Sequence, residues 1–358
     1  MTVDDSVSMA TYGWTPELQQ LGPRGLPTPR GPLSAWLIDQ LRKPAGAVTD
    51  APGYEGDPVH GEDAALSLYL LYELHYRGFD AVDEDWEWEP SLLSVRQQLE
   101  RDFLECVTAL VGPVPATSDV VGGLAQAMAA GDGPSLSMYA AEEATLEQIR
   151  ELAVHRSAWQ LKEADPHAWA IPRLAGQPKA ALLEILKGEY GEGVERDMHQ
   201  VLFGVTMTAL DLDPSYGAYL EYLPAVTLAT VNLVSLFGLH RKWRGALCGH
   251  LAAFEMTSIV PMGNYAAGMR RLELSTDAAH FYEVHVVADA HHSTVGAHAL
   301  AGGLVAQEPE LAPQVLFGAM AMSALEARFA EHALAAFAEE RSSLRRPVSA
   351  APSLTPSP

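Results

Sequence analysis

The densest group of side chains that could bind a metal lies in the segment DAAHFYEVHVVADAHHSTVGAHAL. His285, Asp289 and His292 are spaced by four and three residues, so on an α-helix they return to within about 40° of one direction. His280 and His291 point elsewhere on the same helical wheel. Two imidazoles and a carboxylate on one face can hold a first-row transition metal and leave coordination positions open. We therefore predict that His285, Asp289 and His292 are metal ligands.

A polar helix face that happens to be rich in histidine would give the same pattern. The apolar neighbours Val284, Val286 and Val287 argue against this reading, because they indicate that much of the helix is buried. Buried histidine and aspartate side chains need partners, and a metal ion would provide them.

One helix cannot supply all the ligands of a metal site, and two other segments offer more. Glu163 ends a predicted helix in HRSAWQLKEADPHAW, and Glu189 and His199 lie in LLEILKGEYGEGVERDMHQVLF. Helical periodicity alone favours Glu192 or Glu195 as the partner of His199, because Glu189 lies ten residues away and roughly 80° off its face.

Two glycines weaken this objection to Glu189. We expect Gly191 and Gly193 to end one helix and begin another, so a single helical wheel need not extend across them. Spacing alone leaves the choice between Glu189 and the nearer glutamates open.

Four further side chains could support such a site. Glu255, an acid in an apolar helix, could be a base or an additional ligand, or simply a hydrogen-bonded buried acid. His167 follows the helix break after Glu163 and could hold a ligand in place, as could Trp159.

Arg156 and Trp159 share a helical face with Glu163, so Arg156 could bind a substrate carboxylate with two parallel hydrogen bonds. The alternative for Arg156 is an ordinary ion pair with an acid.

The composition narrows the classes of partner. Forty-six acidic against 23 basic residues among 358 give a formal charge of −23, which would repel nucleic acids and anionic membranes. Cys106 and Cys248 have no metal-binding spacing, and the first residues lack the pattern of a secretory signal. The uncharged stretch 222–239 contains Pro224 and Asn232, and it is predicted to be a buried helix rather than a membrane span. We expect a cytoplasmic protein with neither a nucleic-acid nor a membrane partner.

The hydrophobic pattern predicts an all-α fold without useful strands. We expect a Pro/Gly-rich arm over residues 1–60, an N-terminal helical elaboration over 61–140, a main helical domain over 141–340 and a disordered tail over 341–358. Helices are predicted near residues 61–78, 90–111, 119–131, 141–165, 178–190, 194–209, 221–238, 242–258, 262–272, 276–301 and 308–340, with a short docking helix at 33–41.

The order Glu163, then Glu189-x9-His199, then His285-x3-Asp289-x2-His292 resembles the ligand pattern of the haem-oxygenase-like dimetal oxidases, also described as iron-containing redox enzymes. The resemblance covers roughly residues 140 to 335. It implies a haem-oxygenase-like helical bundle that binds two iron ions, with no haem and no nucleotide. It also implies that Glu163, His199 and His285 bind one iron and Glu189, Asp289 and His292 the other, with the bridging carboxylate left open.

The same resemblance implies a function in specialised metabolism, such as antibiotic biosynthesis. Members of the family use dioxygen, and we expect an external electron donor and a homodimer. Our first hypothesis is oxidation of a free aliphatic amino acid by C–H abstraction, leading to desaturation, C–N cyclisation or cleavage. In length and in its long N-terminal region the chain resembles the azetidine-forming enzymes of polyoxin biosynthesis. The alternatives are N-oxygenation of an amine or guanidine and, from another class, a non-catalytic helical binding protein.

Overall fold

The structure, a computed structural model, describes residues 25–130 and 135–348, and these residues contain helices but no β-strand. This confirms the all-α prediction. A π-helical segment, Val295–Gly302, continues α13 directly into α14. The α-helices are α1 Pro32–Leu41, α2 Glu62–Glu73, α3 Pro90–Val111, α4 Val120–Ala129, α5 Leu136–Glu142, α6 Leu146–Gln160, α7 Asp165–Ala168, α8 Gly176–Glu189, α9 His199–Ala209, α10 Ala225–Leu239, α11 Arg244–Thr257, α12 Ile259–Arg271, α13 Thr276–Thr294, α14 Gly303–Gln307 and α15 Ala312–Ala338.

Two of the predicted helices differ from the observed ones in ways that matter for function. The predicted helix 141–165 is divided: α5 ends at Glu142, α6 begins after Thr145, and α6 already stops at Gln160. Thr145 caps α6 by accepting a hydrogen bond from the backbone N–H of Gln148, whose side chain accepts one from Thr145 in return. The predicted helix 194–209 begins only at His199. Periodicity could not locate these ends, because turns outside the helices set them.

The uncharged helix α10 lies in the middle of the bundle. It is buried along almost its whole length and packs against α2, α15, α11 and α6. Its Asn232 donates a hydrogen bond to the carbonyl oxygen of Ala65 on α2, which satisfies a polar group in an otherwise apolar interior. Among the described residues, no helix combines the length and apolar character that a membrane crossing requires.

The first described residues, from residue 25 onward, are anchored to this bundle through α1 and α2. Four α1 side chains are almost fully buried: Leu33, Leu37, Ile38 and Leu41. The carboxylate of Asp63 on α2 accepts hydrogen bonds from the backbone N–H groups of Leu33 and Ser34 at 2.9 and 2.7 Å, so α2 caps the first turn of α1. The expected docking helix therefore exists. Residues 1–24 of the predicted arm lie outside the described residues.

The prediction of a disordered tail is wrong for residues 341–348. Ser343 is only 1% exposed. Its backbone N–H and hydroxyl both donate to Glu151, at 2.8 and 2.7 Å, and its hydroxyl also contacts the buried ring of His155. Leu344 is buried as well. The residues after α15 are mostly polar, so the sequence predicted that they do not pack against the protein. Their partners Glu151 and His155 lie on α6, far away in the sequence, and could not be identified from it. Residues 349–358 lie outside the described residues.

Helices α11 and α15 cross at unusually short range, and this crossing fixes the position of α11. A Cβ atom at Gly249 would lie 1.9 Å from the carbonyl oxygen of Val315, and one at Gly318 would lie 2.0 Å from that of Ala246. Real atoms do not approach so closely, so each helix needs a glycine at the crossing.

We predict that Gly249→Ala lowers the free energy of unfolding by about 2–3 kcal/mol, because the added methyl group must push α15 away from α11. The matched control is Gly204→Ala in α9, where the nearest atom to the new Cβ is 3.7 Å away on Pro214. That change should leave stability unchanged or raise it by up to about 1 kcal/mol. Chemical denaturation measures both. Equal effects of the two substitutions would contradict this account of the crossing.

Candidate metal centre

Four parts of the fold bring the six predicted ligands together in the interior. Glu163 lies in the turn after α6, Glu189 is the last residue of α8 and His199 is the first residue of α9. Helix α13 contributes the other three, His285, Asp289 and His292.

Helix α13 presents its three candidate ligands on one buried face. His285, Asp289 and His292 are 3%, 2% and 6% exposed. His280 and His291 are exposed, and the ring of His291 contacts Glu184 at 2.7 Å on the surface. The three candidate ligands therefore share the buried face of α13, whereas His280 and His291 lie on its exposed side.

Glu163 owes its position to a turn rather than to a helix. After α6 ends, Ala164 adopts a left-handed conformation with φ 72°, which reverses the chain before α7. Lys162 points away from Glu163 into the interior, where its side chain is 1% exposed and pairs with Glu73 on α2 at 3.2 Å. Tyr216 donates a hydrogen bond to the same carboxylate. A buried ion pair with a hydrogen-bonded partner thus holds the turn from which Glu163 projects.

The glycine break between Glu189 and His199 is present. Helix α8 ends at Glu189, and Gly191 has φ 60°. A Cβ at Gly191 would lie 2.4 Å from the backbone of Asp197, so only glycine fits there. The result is a 2.8 Å approach between the Nδ1 atom of His199 and the Oε2 atom of Glu189. The periodic rival Glu192 instead pairs with Lys187 on the surface, and its side chain is 63% exposed.

The donor atoms form two groups that share Glu189. Each residue of a group offers one donor atom, and the donor atoms of a group all lie within 4.8 Å of one another. The Oε2 atom of Glu189 faces His199, and its Oε1 atom faces the Nδ1 atom of His292 at 3.7 Å. One carboxylate therefore presents one oxygen to each group. The groups are Glu163, Glu189, His199 and His285, and Glu189, Asp289 and His292.

The spacing of these atoms suits two metal ions. Nitrogen and oxygen ligands lie about 2.0–2.2 Å from a first-row metal, so two ligands of one ion are about 3 Å apart at 90° and about 4 Å apart when opposite. Observed separations of 2.8, 3.5, 3.7 and 3.9 Å lie in or near this range. Four buried atoms in the cluster lack a partner in hydrogen-bond geometry within the described chain: Glu163 Oε2, His199 Nδ1, His285 Nε2 and His292 Nδ1. The residues therefore fit metal ions, because buried polar atoms need a partner.

Neighbouring groups orient two of the ligands. The Nδ1 atom of His285 lies 2.8 Å from the carbonyl oxygen of Phe281, one turn earlier on α13, and as an N–H it donates a hydrogen bond there. This arrangement leaves the Nε2 atom of His285 facing the cluster, where a metal ion can replace its proton. Ser258, at the junction of α11 and α12, donates its hydroxyl hydrogen to Asp289.

The electrostatics of the cluster favour a cation. Burial alone would raise the pKa of Glu189, but the three imidazoles around it lower it below its usual value. Burial also opposes a charge on His285, but Glu163 and Glu189 raise the pKa of its imidazole to about 10. Burial raises the pKa of Glu255 to about 8, with Glu189 and Asp289 acting in the same direction. Protons and metal ions therefore compete for these groups, and a bound metal replaces protons.

The three residues expected to support the ligands have different surroundings. Glu255 is the nearest, with its Oε2 atom 3.5 Å from the Nδ1 atom of His292. His167 contacts no candidate ligand by a hydrogen bond among the described residues; its Nε2 atom lies 3.2 Å from the Nδ1 atom of His250. Trp159 stacks on Phe254 and lines the cavity beside the cluster. Only Glu255 is thus placed to act on a ligand directly.

Arg156 forms an ion pair with an acid of the protein, one of the two alternatives that the sequence left open for it. Its guanidinium donates two hydrogen bonds to Glu326 on α15, at 2.9 and 2.6 Å, and lies 4.5 Å from the centre of the Phe329 ring. Burial would lower the pKa of Arg156, but the Glu326 carboxylate raises it above its usual value. The alternative of an ion pair with an acid is the observed one. Position 326 lies 170 residues away in sequence, so spacing could not identify this acid.

Two residues of the centre were missed by sequence reasoning. A Cβ at Gly188 would lie 2.8 and 2.9 Å from the Cε1 and Nε2 atoms of His292, so the absence of a side chain there makes room for that ring. Gln160, the last residue of α6, lines the cavity beside Glu163 and Glu189. No spacing rule singles out a glycine in a helix or a lone glutamine, because their roles depend on how helices pack.

Residues 150–327 match the family model described as iron-containing redox enzyme. The match covers slightly less than half of the chain and contains all six candidate ligands. Comparison of the sequence with curated proteins gives no match. The similarity of residues 150–327 to the iron-containing redox enzymes, the helical bundle and the buried cluster of histidines and carboxylates together support a redox function for this chain.

Proposed function

We propose that the protein is an oxidase that binds two iron ions and uses dioxygen to oxidise a small molecule. The observation that carries this proposal is the position of Glu189, whose two oxygens face two separate groups of ligands. Glu163, Glu189, His199 and His285 would hold one ion, and Glu189, Asp289 and His292 the other, with Glu189 as the bridge. When bound, the iron ions supply the activation of dioxygen and the oxidising power.

The protein's own residues provide a dry and shaped site. A cavity of about 50 Å³ lies directly beside Glu163, Glu189, His285 and Asp289. Apolar side chains form much of its wall, among them Leu186, Leu251 and Phe254. This surface excludes water from the reacting atoms and strengthens the electrostatic interactions of the ligands.

We propose a free aliphatic amino acid as the substrate and removal of hydrogen from carbon as the reaction, with desaturation, C–N cyclisation such as azetidine formation, or cleavage as outcomes. Taking two hydrogens from the substrate supplies two of the four electrons that reduce dioxygen to water, and an external donor supplies the rest. N-oxygenation of an amine or guanidine is the alternative on the same centre. A binding protein without catalysis would not need the six converging side chains.

Glu189→Gln tests the proposed centre. Because both groups share this carboxylate, the variant should bind far less than two iron ions per chain and lose oxygen uptake with leucine, isoleucine or valine. Glu192→Gln is the control, since Glu192 is exposed and pairs with Lys187. Metal analysis and an oxygen electrode give the readouts. Full iron content in Glu189→Gln would refute the bridge, and a hydroxylamine product from an amine would favour N-oxygenation.

Gly188→Ala tests the second group alone. The new methyl group must displace the His292 ring, so we expect the loss of about one iron ion per chain. The fold should not suffer, because alanine favours a helix over glycine by about 1 kcal/mol. Gly263→Ala on α12 is the control, with its nearest neighbour 3.9 Å away on Val286. Iron stoichiometry and thermal denaturation measure the two effects. Two tightly bound iron ions in Gly188→Ala would show that His292 is not a ligand.

A further inference from the structure

A second, larger cavity lies next to the metal centre. Its volume is about 340 Å³, within the range of small-molecule pockets, and α6, α11, α12, α13 and α15 contribute to its wall. The small cavity beside the ligands and this larger one share a wall of five residues. These are Trp159, Gln160, Phe254, Ser258 and Met262. A molecule in the larger cavity would therefore need to pass only these side chains to reach the ligands.

The residues that line the larger cavity include two charged ones, Arg156 and Glu326. Its surface is mainly apolar, and the Arg156–Glu326 pair provides one positive and one negative group, each with a side chain that is 23% exposed. Gln160 is 6% exposed, and its Oε1 atom has no hydrogen-bond partner within the described chain. A buried amide oxygen without a donor is unfavourable, so a ligand with an N–H group would be favoured here.

We propose that Arg156, Glu326 and Gln160 form a subsite for the charged end of a zwitterionic aliphatic amino acid. The substrate carboxylate binds to Arg156, and the ammonium group binds to Glu326 and donates to the Oε1 atom of Gln160. The ion pair between Arg156 and Glu326 is then replaced by two ion pairs with the substrate, so every charge keeps an opposite partner. This inference rests on the proposed oxidase function, since it names the substrate class and the residues that select it.

The chemistry of the subsite separates this ligand from the other candidates. A simple amine would pair with Glu326 and leave Arg156 without its acid. A fatty acid would pair with Arg156 and leave both Glu326 and Gln160 without a donor. Only a molecule that carries both charges close together satisfies all three side chains, and the apolar wall suits an aliphatic body.

The order of residues along α6 gives the direction of binding. Arg156 lies one helical turn, about 6 Å, before Gln160, and Glu163 follows Gln160 in the next turn of the chain. The charged end therefore lies on the side of Gln160 away from the metal ligands, and the aliphatic end extends towards them. This direction brings carbon rather than nitrogen to the reacting position, as C–H abstraction requires.

Calorimetric titration of the iron-loaded protein under nitrogen tests the inference without turnover. The probes are L-leucine, its methyl ester, which lacks the carboxylate, and N-acetyl-L-leucine, which lacks the ammonium group. We expect leucine to bind at least tenfold more tightly than either derivative, because each derivative loses a charged hydrogen bond. Equal binding of the three probes, or no binding of leucine, would overturn the inference.

Two variants assign the effect to the subsite. Gln160→Met removes the acceptor at similar volume and should weaken leucine binding about tenfold. The double change of Arg156→Met with Glu326→Leu removes both charges together, so neither remains buried alone and the fold should be retained. That variant should bind the three probes with similar affinity. Wild-type affinity for leucine in Gln160→Met, or wild-type preference for leucine over its derivatives in the double variant, would refute the assignment.

The control variant is Arg150→Gln, which breaks a pair with Asp211 on the same helix but outside both cavities. Leucine binding should be unchanged in it. Iron content measured in the same samples distinguishes failure of this inference from failure of the proposed function. Two iron ions without leucine binding would overturn only the subsite, whereas a protein without bound iron would overturn the oxidase.

Discussion

The interior of this helical bundle holds four carboxylates and three imidazoles at close range, and the rest of the structure depends on how their charge is neutralised. Glu163, Glu189, Glu255 and Asp289 together would carry four negative charges, which two divalent ions balance. Without such ions, burial forces protons onto the cluster, as the raised pKa of Glu255 illustrates. Metal binding would therefore exchange protons for cations, and the free energy of binding would also stabilise the fold.

The regular helices cannot build this centre by themselves. Glu163 comes from a turn that needs a left-handed residue, and Glu189 and His199 face each other only because Gly191 breaks the chain between α8 and α9. The Lys162–Glu73 pair ties the first of these turns to α2. The N-terminal helices thus contribute to the position of a ligand, even though they lie outside the stretch that matches the family model.

The sequence predicted those parts of the centre that follow helical periodicity. His285, Asp289 and His292 could be placed on one face because they belong to one uninterrupted helix, and the all-α fold followed from the same pattern. Glu189 contradicted periodicity and was chosen through a family resemblance. The partner of Arg156, the room that Gly188 leaves for His292 and the packing of the tail at Ser343 all depend on contacts between distant segments. A local pattern contains no information about such contacts.

The two cavities connect the Arg156–Glu326 ion pair with the proposed oxidising centre. The Arg156–Glu326 pair adds little stability by itself, since desolvation offsets most of its Coulomb energy. Its position at the edge of the larger cavity instead gives a substrate two charged groups that are already oriented, which lowers the entropic cost of binding. The energy gained at the charged end can then hold the apolar end beside the ligands, where a small displacement would slow the reaction. Selection of the substrate and choice of the carbon to be oxidised would in this way depend on the same three side chains.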